Sequence, residues 1–219
     1  LEHDYIKYTN FIIKINQKYS IHYLEICKNI IKNLTIKNQD KYFLMIGNFK
    51  HEEDKYLENY TRQNNQWLLF IYYFSKNFIY YLFKDYIHAF NNSLYAKIYV
   101  AALCGFLSIP QYNFYSSLSL LAHHHNCTLE QQKEILEQVE KNQEDMKLWA
   151  SHCPENFQNK YNLIEAEKAR ILGDNWQAQE LYEKAIEGAK KSEFIHEEAI
   201  AYERASEFYL ALGREEFGK

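Results

Sequence analysis

Glycine and proline are scarce in this chain: its 219 residues include six glycines and two prolines, Pro110 and Pro154. Sheet proteins of this length need many turn residues, whereas helical hairpins need few. Hydrophobic residues make up 47% of the chain, which is enough to bury a core and too much for a disordered protein. The composition therefore predicts an all-α fold.

Recognisable catalytic motifs are also lacking. No G-x-x-x-x-G-K-[ST] or G-x-G-x-x-G phosphate-binding loop, protein-kinase catalytic loop, D-F-G or serine nucleophile elbow occurs. Glu165 and Glu167 lie beside Lys168 and Arg170, and Glu197 lies in a glutamate-rich segment. On helices such carboxylates are predicted to be surface charges rather than an acid/base pair. We therefore expect no catalytic residue and no cofactor.

A long, uninterrupted hydrophobic run is missing too. The most apolar segment, Trp67–Phe83, is interrupted by Ser75, Lys76 and Asn77, whereas a membrane-spanning helix needs about 20 predominantly apolar residues. This segment is predicted to be a buried helix, and no membrane span is expected.

The four cysteines form no C-x-x-C motif. No signal peptide precedes them, so they are interpreted as free thiols of a reducing compartment, which predicts a cytoplasmic location. The chain begins with Leu1 and ends with Lys219, and we expect it to be a piece of a longer protein. The cysteines are Cys27, Cys104, Cys127 and Cys153.

The charge is unevenly distributed around a net value of −4. Residues 1–128 carry 13 Lys and Arg against 9 Asp and Glu, whereas residues 129–219 carry 12 against 20. Duplex nucleic acid requires a concentrated basic face, and the basic residues of the first part are scattered. A nucleic-acid partner is therefore not expected.

The second half of the chain contains clear helix signals. Thr128 and Gln131 have the spacing of a capping box, and Pro154, Gly173 and Gly213 mark helix boundaries. The last helix is predicted to have an apolar side made of Ile195, Ala199, Tyr202, Ala205, Tyr209 and Leu212. The helices predicted from these signals are Leu129–Ala150, Asn156–Leu172, Trp176–Lys191 and Phe194–Leu212.

These helices follow a repeat pattern. Gly173 and Gly213 are equivalent helix ends, and Lys84 occupies the corresponding place in an earlier copy. Small residues that allow two helices to approach closely follow two of these turns at the same spacing, and they are Ala178 and Ala185 after Gly173, and Ala89 and Ala96 after Lys84. The pattern resembles an irregular tetratricopeptide repeat (TPR).

The N-terminal half fits the same plan less clearly, and about nine or ten helices are expected in all. We predict a single TPR-like α-solenoid over residues 1–219, less regular over 1–110 and with clearer helical hairpins over 111–219. The earlier segments are Ile21–Leu34, Glu52–Asn59 as a short helix or loop, Trp67–Phe83, and Tyr112–His123 after Pro110.

A histidine- and cysteine-rich cluster is the one candidate metal site. His and Cys side chains can bind Zn²⁺, but neighbouring histidines on a helix point in different directions and no H-x₃-H or C-x₂-C spacing occurs. The favoured interpretation is a solvated helix end where imidazoles meet the carbonyl end of the helix dipole, and no metal. The residues that would take part are His123, His125 and Cys127, with His124, His152 and Cys153 nearby.

Five segments together form a recognisable sequence pattern: Tyr112–Ala122 (YNFYSSLSLLA), Asn142–Ala150 (NQEDMKLWA), Asn159–Arg170 (NKYNLIEAEKAR), Tyr23–Cys27 and Leu44–Gly47. These segments resemble the helical region of the large cyanobacterial-type multi-sensor hybrid kinases. Lys84 departs from that family's usual glycine, and His123-His124-His125 from its apolar tendency.

In that family a Ser/Thr kinase domain and an AAA-type NTPase module precede a TPR-like region, which is followed by a GAF sensor and usually by a histidine kinase of two-component signalling. The resemblance covers the helical region only, so none of the family's catalytic residues has a counterpart here. It implies a non-catalytic relay between the NTPase or kinase and the sensor modules.

The expected partners are therefore proteins or other domains of the same chain. A small-ligand sensor that uses the aromatic core or a concave groove is the alternative. Self-association through an exposed repeat face is a further option.

Overall fold

The computed structural model describes residues 2–15, 17–35, 44, 50–103 and 105–214. These residues form an all-α fold of ten α-helices and two short 3₁₀ helices, Val100–Leu103 and His124–Asn126, without a strand. The α-helices are α1 (Glu2–Lys14), α2 (Lys18–Thr35), α3 (Lys50–Arg62), α4 (Gln66–Leu82), α5 (Tyr86–Tyr99), α6 (Ser108–His123), α7 (Leu129–His152), α8 (Pro154–Leu172), α9 (Asn175–Lys191) and α10 (Ile195–Ala211).

The chain divides into two compact units, Leu1–Tyr115 and Ser116–Lys219, and the division falls within α6. In the first unit α4 is the central helix and packs against α2, α3 and α5. In the second unit α8 has that role and packs against α7, α9 and α10. The prediction of one continuous solenoid over the whole chain stays a prediction.

The core of the first unit is built around α4, which is buried on most of its circumference, as its nearly continuous hydrophobic sequence predicts. Phe70 is completely buried, and its ring lies 5.4 Å from that of Tyr112. The buried apolar residues of this core are Ile26, Leu44, Tyr60, Leu68, Leu69, Phe70, Ile71, Tyr72, Ile79, Ala96, Leu103 and Tyr112.

One kind of turn ends five of the helices. In each case a residue with positive φ follows the last turn, and the next backbone N–H donates to a carbonyl oxygen five residues earlier at 2.9–3.0 Å. This pattern satisfies carbonyl groups that the helix end leaves unpaired. The residues with positive φ are Asn64, Lys84, Gly173, Glu193 and Gly213. The predicted helix ends at Gly173 and Gly213, and the equivalence of Lys84 with Gly173, are thus confirmed.

The equivalence extends beyond the turn. The interval that separates Lys84 from Gly173 also separates Phe78 of α4 from Glu167 of α8. Helices α4 and α5 therefore form a hairpin that corresponds to the hairpin of α8 and α9. We call them the first and the second hairpin.

Most predicted helix boundaries agree with the structure within one or two residues, and the Thr128–Gln131 capping box is present. The start of α6 was predicted too late: the helix begins at Ser108, with Pro110 inside its first turn, where the missing proline N–H is tolerated. The segment around Glu52–Asn59 is a helix, α3, of 13 residues.

No helix among the described residues is long and apolar enough to cross a membrane. Cys27, Cys127 and Cys153 are free thiols, as predicted. Cys104 lies outside the described residues.

Candidate functional site

The inner face of α5 is made of small residues, which bring this helix close to α4. Ala89, Ser93 and Ala96 recur every three or four residues and are all buried. The Asn77 side chain of α4 donates to the Ala89 carbonyl oxygen at 2.9 Å, which ties the two helices together. With its small residues turned inward, α5 presents its large residues on the opposite side.

That opposite side carries an exposed row of three aliphatic residues and one asparagine, which we call the α5 stripe: Ile87, Asn91, Leu94 and Ile98. The side chains of Ile87, Leu94 and Ile98 are 56%, 43% and 68% exposed. At about 100° per residue the four positions fall within an arc of about 60°. Exposed apolar residues that cluster on one face mark an interaction site, whereas single scattered ones are normal on a folded protein.

The equivalent face of α9 has the opposite character. The residues that correspond to Ile87, Asn91, Leu94 and Ile98 are Trp176, Glu180, Glu183 and Glu187, and all four are exposed. Three of them are carboxylates, so the second hairpin presents a charged surface where the first presents an aliphatic one. The α5 stripe is therefore a property of the first hairpin and not of the repeat geometry.

A second exposed row lies on α10, and we call it the α10 stripe: Ile195, Ala199, Tyr202, Ser206 and Leu210. Ile195, Tyr202 and Leu210 are 77%, 51% and 49% exposed. The sequence analysis predicted that Ile195, Ala199, Tyr202 and Ala205 lie on one apolar side of this helix. Of these four residues, the structure buries only Ala205.

The side of α10 that packs on the protein contains charged residues, which apolar periodicity could not identify as buried. The buried residues of α10 are Glu197, Ile200, Ala201, Arg204, Ala205 and Phe208.

A buried ion-pair network joins three helices of the second unit. Arg204 of α10 donates through Nε and Nη2 to the two carboxylate oxygens of Glu167, at 3.0 Å each. Tyr182 of α9 donates to Glu167 Oε1 at 2.5 Å, and Arg170 donates to Oε2 at 2.8 Å. The prediction that Glu167 is a surface charge is wrong, because its counter-charge lies far along the sequence on another helix.

The electrostatics of this network favour the ionised carboxylate. Burial acts to raise the pKa of Glu167, but the charges of Arg204 and Arg170, with hydrogen bonds from Arg204 and Tyr182, outweigh it and hold the pKa below its usual 4.5. Burial and the neighbouring Glu167 carboxylate raise the pKa of Tyr182, so its phenol stays a donor. The carboxylate is thus suited to joining helices.

A second buried pair lies between α8 and α10. Glu197 Oε2 accepts hydrogen bonds from Lys160 Nζ at 2.8 Å and from Asn159 Nδ2 at 2.5 Å. Glu197 is 2% exposed, so its prediction as part of a solvated face is wrong as well. Burial acts to raise its pKa, whereas His196, Lys160 and Asn159 hold it below 4.5.

The first unit contains a comparable group on α3 and α4. Glu53 Oε2 accepts from Lys76 Nζ at 2.8 Å and from Tyr72 at 2.9 Å, and Oε1 accepts from the Leu44 backbone N–H at 2.5 Å. Lys76, one of the residues that interrupt the hydrophobic segment, is thereby buried with a counter-charge. Buried carboxylates of this kind, each bonded to a cationic side chain and to a further donor, hold helices in place.

The candidate metal residues are not assembled into a site. His125 is exposed, and Cys127 Sγ contacts the His123 carbonyl oxygen at 3.7 Å. Among the described residues no three His, Cys, Asp or Glu side chains are grouped so that they could hold a metal ion. The predicted solvated helix end at His123–His125 is only partly solvated, because His124 is buried. Burial lowers the pKa of the His124 imidazole.

Comparison of the chain with protein-family models, with curated proteins and with solved structures gave no match.

Sequence reasoning missed the α5 stripe, although the signal is present. Ala89 and Ala96 were identified as close-contact residues, and large apolar residues on the opposite face of the same helix are then directed outward. The i, i+4, i+7, i+11 spacing of Ile87, Asn91, Leu94 and Ile98 is the pattern that would have located it.

Proposed function

We propose that this chain is a non-catalytic, TPR-like helical-repeat region through which a multidomain signalling kinase docks protein partners or its own other domains. The observation that carries the proposal is the α5 stripe, an aliphatic surface at the positions where the second hairpin is charged. A helix that is apolar on its outer face gains free energy by burying that face against another helix. The surface therefore fits an amphipathic helix.

The parent protein and its signalling role come from the sequence resemblance. A helical region between an NTPase or kinase and a sensor module would relay a signal by binding one module in one state and releasing it in another. Recurrent hairpins with the same turn provide the rigid scaffold that such a relay needs. The free thiols support a reducing, cytoplasmic location.

The buried carboxylates support a non-catalytic role. Glu167, Glu197 and Glu53 are each at most 4% exposed and bonded to cationic side chains, so a substrate has no access to them. A purified sample that reproducibly hydrolysed ATP would overturn this part of the proposal.

The docking role can be tested with a library of displayed amphipathic helical peptides selected on the purified chain. We expect selection of apolar helices whose binding is lost in Ile98→Glu. Trp176→Glu is the matched control, because it removes an exposed large residue from the second hairpin, and it should leave binding unchanged. If no selected peptide distinguishes the two variants, the α5 stripe is not a docking surface.

The small-ligand sensor stays an alternative that the packing does not favour. The buried aromatic rings contact one another, as for Phe70 with Tyr112 and Phe78 with Tyr115, so protein side chains fill that part of the core. A surface depression on α3 is lined by Asp54, Leu57, Glu58, Thr61 and Arg62, without an aromatic residue.

A further inference from the structure

We infer that the α5 stripe and the α10 stripe bind each other between two copies of this chain, so that the protein associates head to tail. The inference rests on the proposed docking role of the α5 stripe and names its occupant as the α10 stripe of a second copy. Three properties of the two surfaces lead to it: their shape, their apolar character and their charge.

The two stripes match in shape. Each follows one straight face of an α-helix, over 12 residues for the α5 stripe and 16 for the α10 stripe. At about 1.5 Å per residue these are ridges of about 17 and 23 Å. Two ridges of similar length can pack with their side chains interdigitated, as neighbouring helices do inside a protein.

Apolar side chains dominate both stripes. Ile87, Leu94 and Ile98 on one and Ile195, Tyr202 on the other are each more than 40% exposed. Pairing the stripes removes all of these side chains from water, whereas either stripe alone leaves them exposed. The polar members, Asn91 and Ser206, have side chains that can both donate and accept a hydrogen bond.

Charge decides between the ways in which the stripes can pair. The α5 stripe is bordered by the exposed residues Lys84 and Lys97, and the α10 stripe by Glu198 and Glu203. Pairing α5 with α5 brings lysines together, and pairing α10 with α10 brings glutamates together. Pairing α5 with α10 brings opposite charges together, which favours the heterologous contact.

One contact between the two different surfaces leaves one stripe unoccupied on each copy, and that stripe can bind in turn. A single helix pair buries less surface than a standard protein interface, so the association should be weak and depend on concentration.

A mixing experiment tests the heterologous contact directly. Ile98→Glu disables the α5 stripe and leaves the α10 stripe intact, while Tyr202→Glu does the reverse, so that the two disabled stripes carry like charges. In sedimentation velocity, the average mass of the wild type should rise with concentration, and each variant alone should remain a monomer. An equimolar mixture should form a 1:1 dimer that grows no further, because only one intact pair of stripes remains.

Matched controls separate this contact from general stickiness and from misfolding. Trp176→Glu changes a large residue on α9 that is even more exposed than Ile98 and Tyr202, and this variant should associate like the wild type. Far-ultraviolet circular dichroism and the melting temperature of all variants should match the wild type, since residues 98, 176 and 202 are exposed.

The charged residues that border the two stripes allow a second, independent test of the contact. Lys97→Glu and Glu203→Lys should each weaken association about fivefold at low salt, and the chain carrying both changes should recover, because the charges are exchanged across the contact. Lys184→Glu, on the charged face of α9, is the control and should have no effect.

Several outcomes overturn the inference. One is a wild type that stays monomeric up to high concentration, and another is association that Ile98→Glu and Tyr202→Glu leave intact. A mixture that stays monomeric overturns it as well. If selected helical peptides still bind the α5 stripe in these cases, self-association fails but the proposed docking function stands; if they do not bind, both fail.

Discussion

The two hairpins share a backbone and differ in nearly everything their side chains do. In both, a residue with positive φ and an aspartate N-cap join the helices: Lys84 and Asp85 in the first, Gly173 and Asp174 in the second. In both, alanines at equivalent positions bring the helices together.

The interiors and the outer surfaces then diverge. Where the second hairpin has the Glu167–Arg204 ion pair, the equivalent residues of the first unit are Phe78 and Tyr115, whose rings lie 4.8 Å apart. At these equivalent positions the hairpin with aromatic rings has an apolar exterior, and the hairpin with an ion pair has a charged one. The turn and the small residues thus specify the hairpin, and the remaining positions are free to determine what it binds.

The largest expected effect concerns the ionic interior. Glu167→Gln keeps the size of the side chain but leaves the buried Arg204 guanidinium with the part-exposed Glu207, whose Oε2 lies 2.6 Å from Nη1, as its remaining carboxylate partner. We expect the free energy of unfolding to fall by about 3 kcal/mol, measured by urea denaturation. Replacing Arg204 as well, by Met, should recover part of this loss; a single-variant loss below about 1 kcal/mol would contradict the buried network.

The same network predicts a dependence on pH. The pKa of Glu167 is lower in the folded than in the unfolded protein, so its stabilisation is complete above about pH 4.5 and is lost as the pH falls through the folded-state pKa. The difference in unfolding free energy between wild type and Glu167→Gln should therefore shrink below pH 4.5. Denaturation curves at pH 7, 5, 4 and 3 test this, and a difference that widens on acidification would be the wrong sign.

Exchanging lysine and glycine between the two equivalent turns should change the stability of the protein in opposite directions. Lys84 has φ of 62°, a conformation that costs a residue with a Cβ about 1–2 kcal/mol, offset partly by the flexibility of glycine in the unfolded chain. We expect Lys84→Gly to stabilise the protein by about 0.5–1 kcal/mol and Gly173→Lys to destabilise it by a similar amount. No atom lies within 4 Å of a Cβ built on Gly173, so backbone strain alone should determine the second effect. If thermal denaturation showed that both substitutions change the stability in the same direction, the two turns would not be equivalent.

Local signals carried the sequence-based prediction of the fold. The capping box at Thr128, the turns at Gly173 and Gly213, and the place of Lys84 all depend on residues within one or two helical turns, and the structure contains each of them. Helix boundaries and the all-α class follow from such short-range information. The metal-site candidates, His123, His125 and Cys127, came from composition and were not brought together.

Burial was harder to predict because it depends on partners distant in sequence. Glu167 has Lys168 and Arg170 beside it, which is also the pattern of a surface helix, and its main partner Arg204 lies on another helix. The orientation of α10 was mistaken for the same reason, since its buried side contains Glu197 and Arg204. Periodicity assumes that charge faces water, and ion pairs between helices break that assumption.

The smallest expected effect on stability comes from exchanging the outer surfaces. Leu94→Glu with Ile98→Glu gives α5 the carboxylates that α9 has at Glu183 and Glu187, and the reverse pair of changes gives α9 an aliphatic row. Because all these positions are exposed, the unfolding free energy should change by no more than about 0.5 kcal/mol per substitution.

Binding of the dye bis-ANS, which reports exposed apolar surface, should fall in the α5 variant and rise in the α9 variant. A loss of more than about 2 kcal/mol in the α5 variant would mean that Leu94 and Ile98 are packed in the folded chain. An unchanged stability with reciprocal dye binding would instead show that the two hairpins are one scaffold with two interchangeable surfaces.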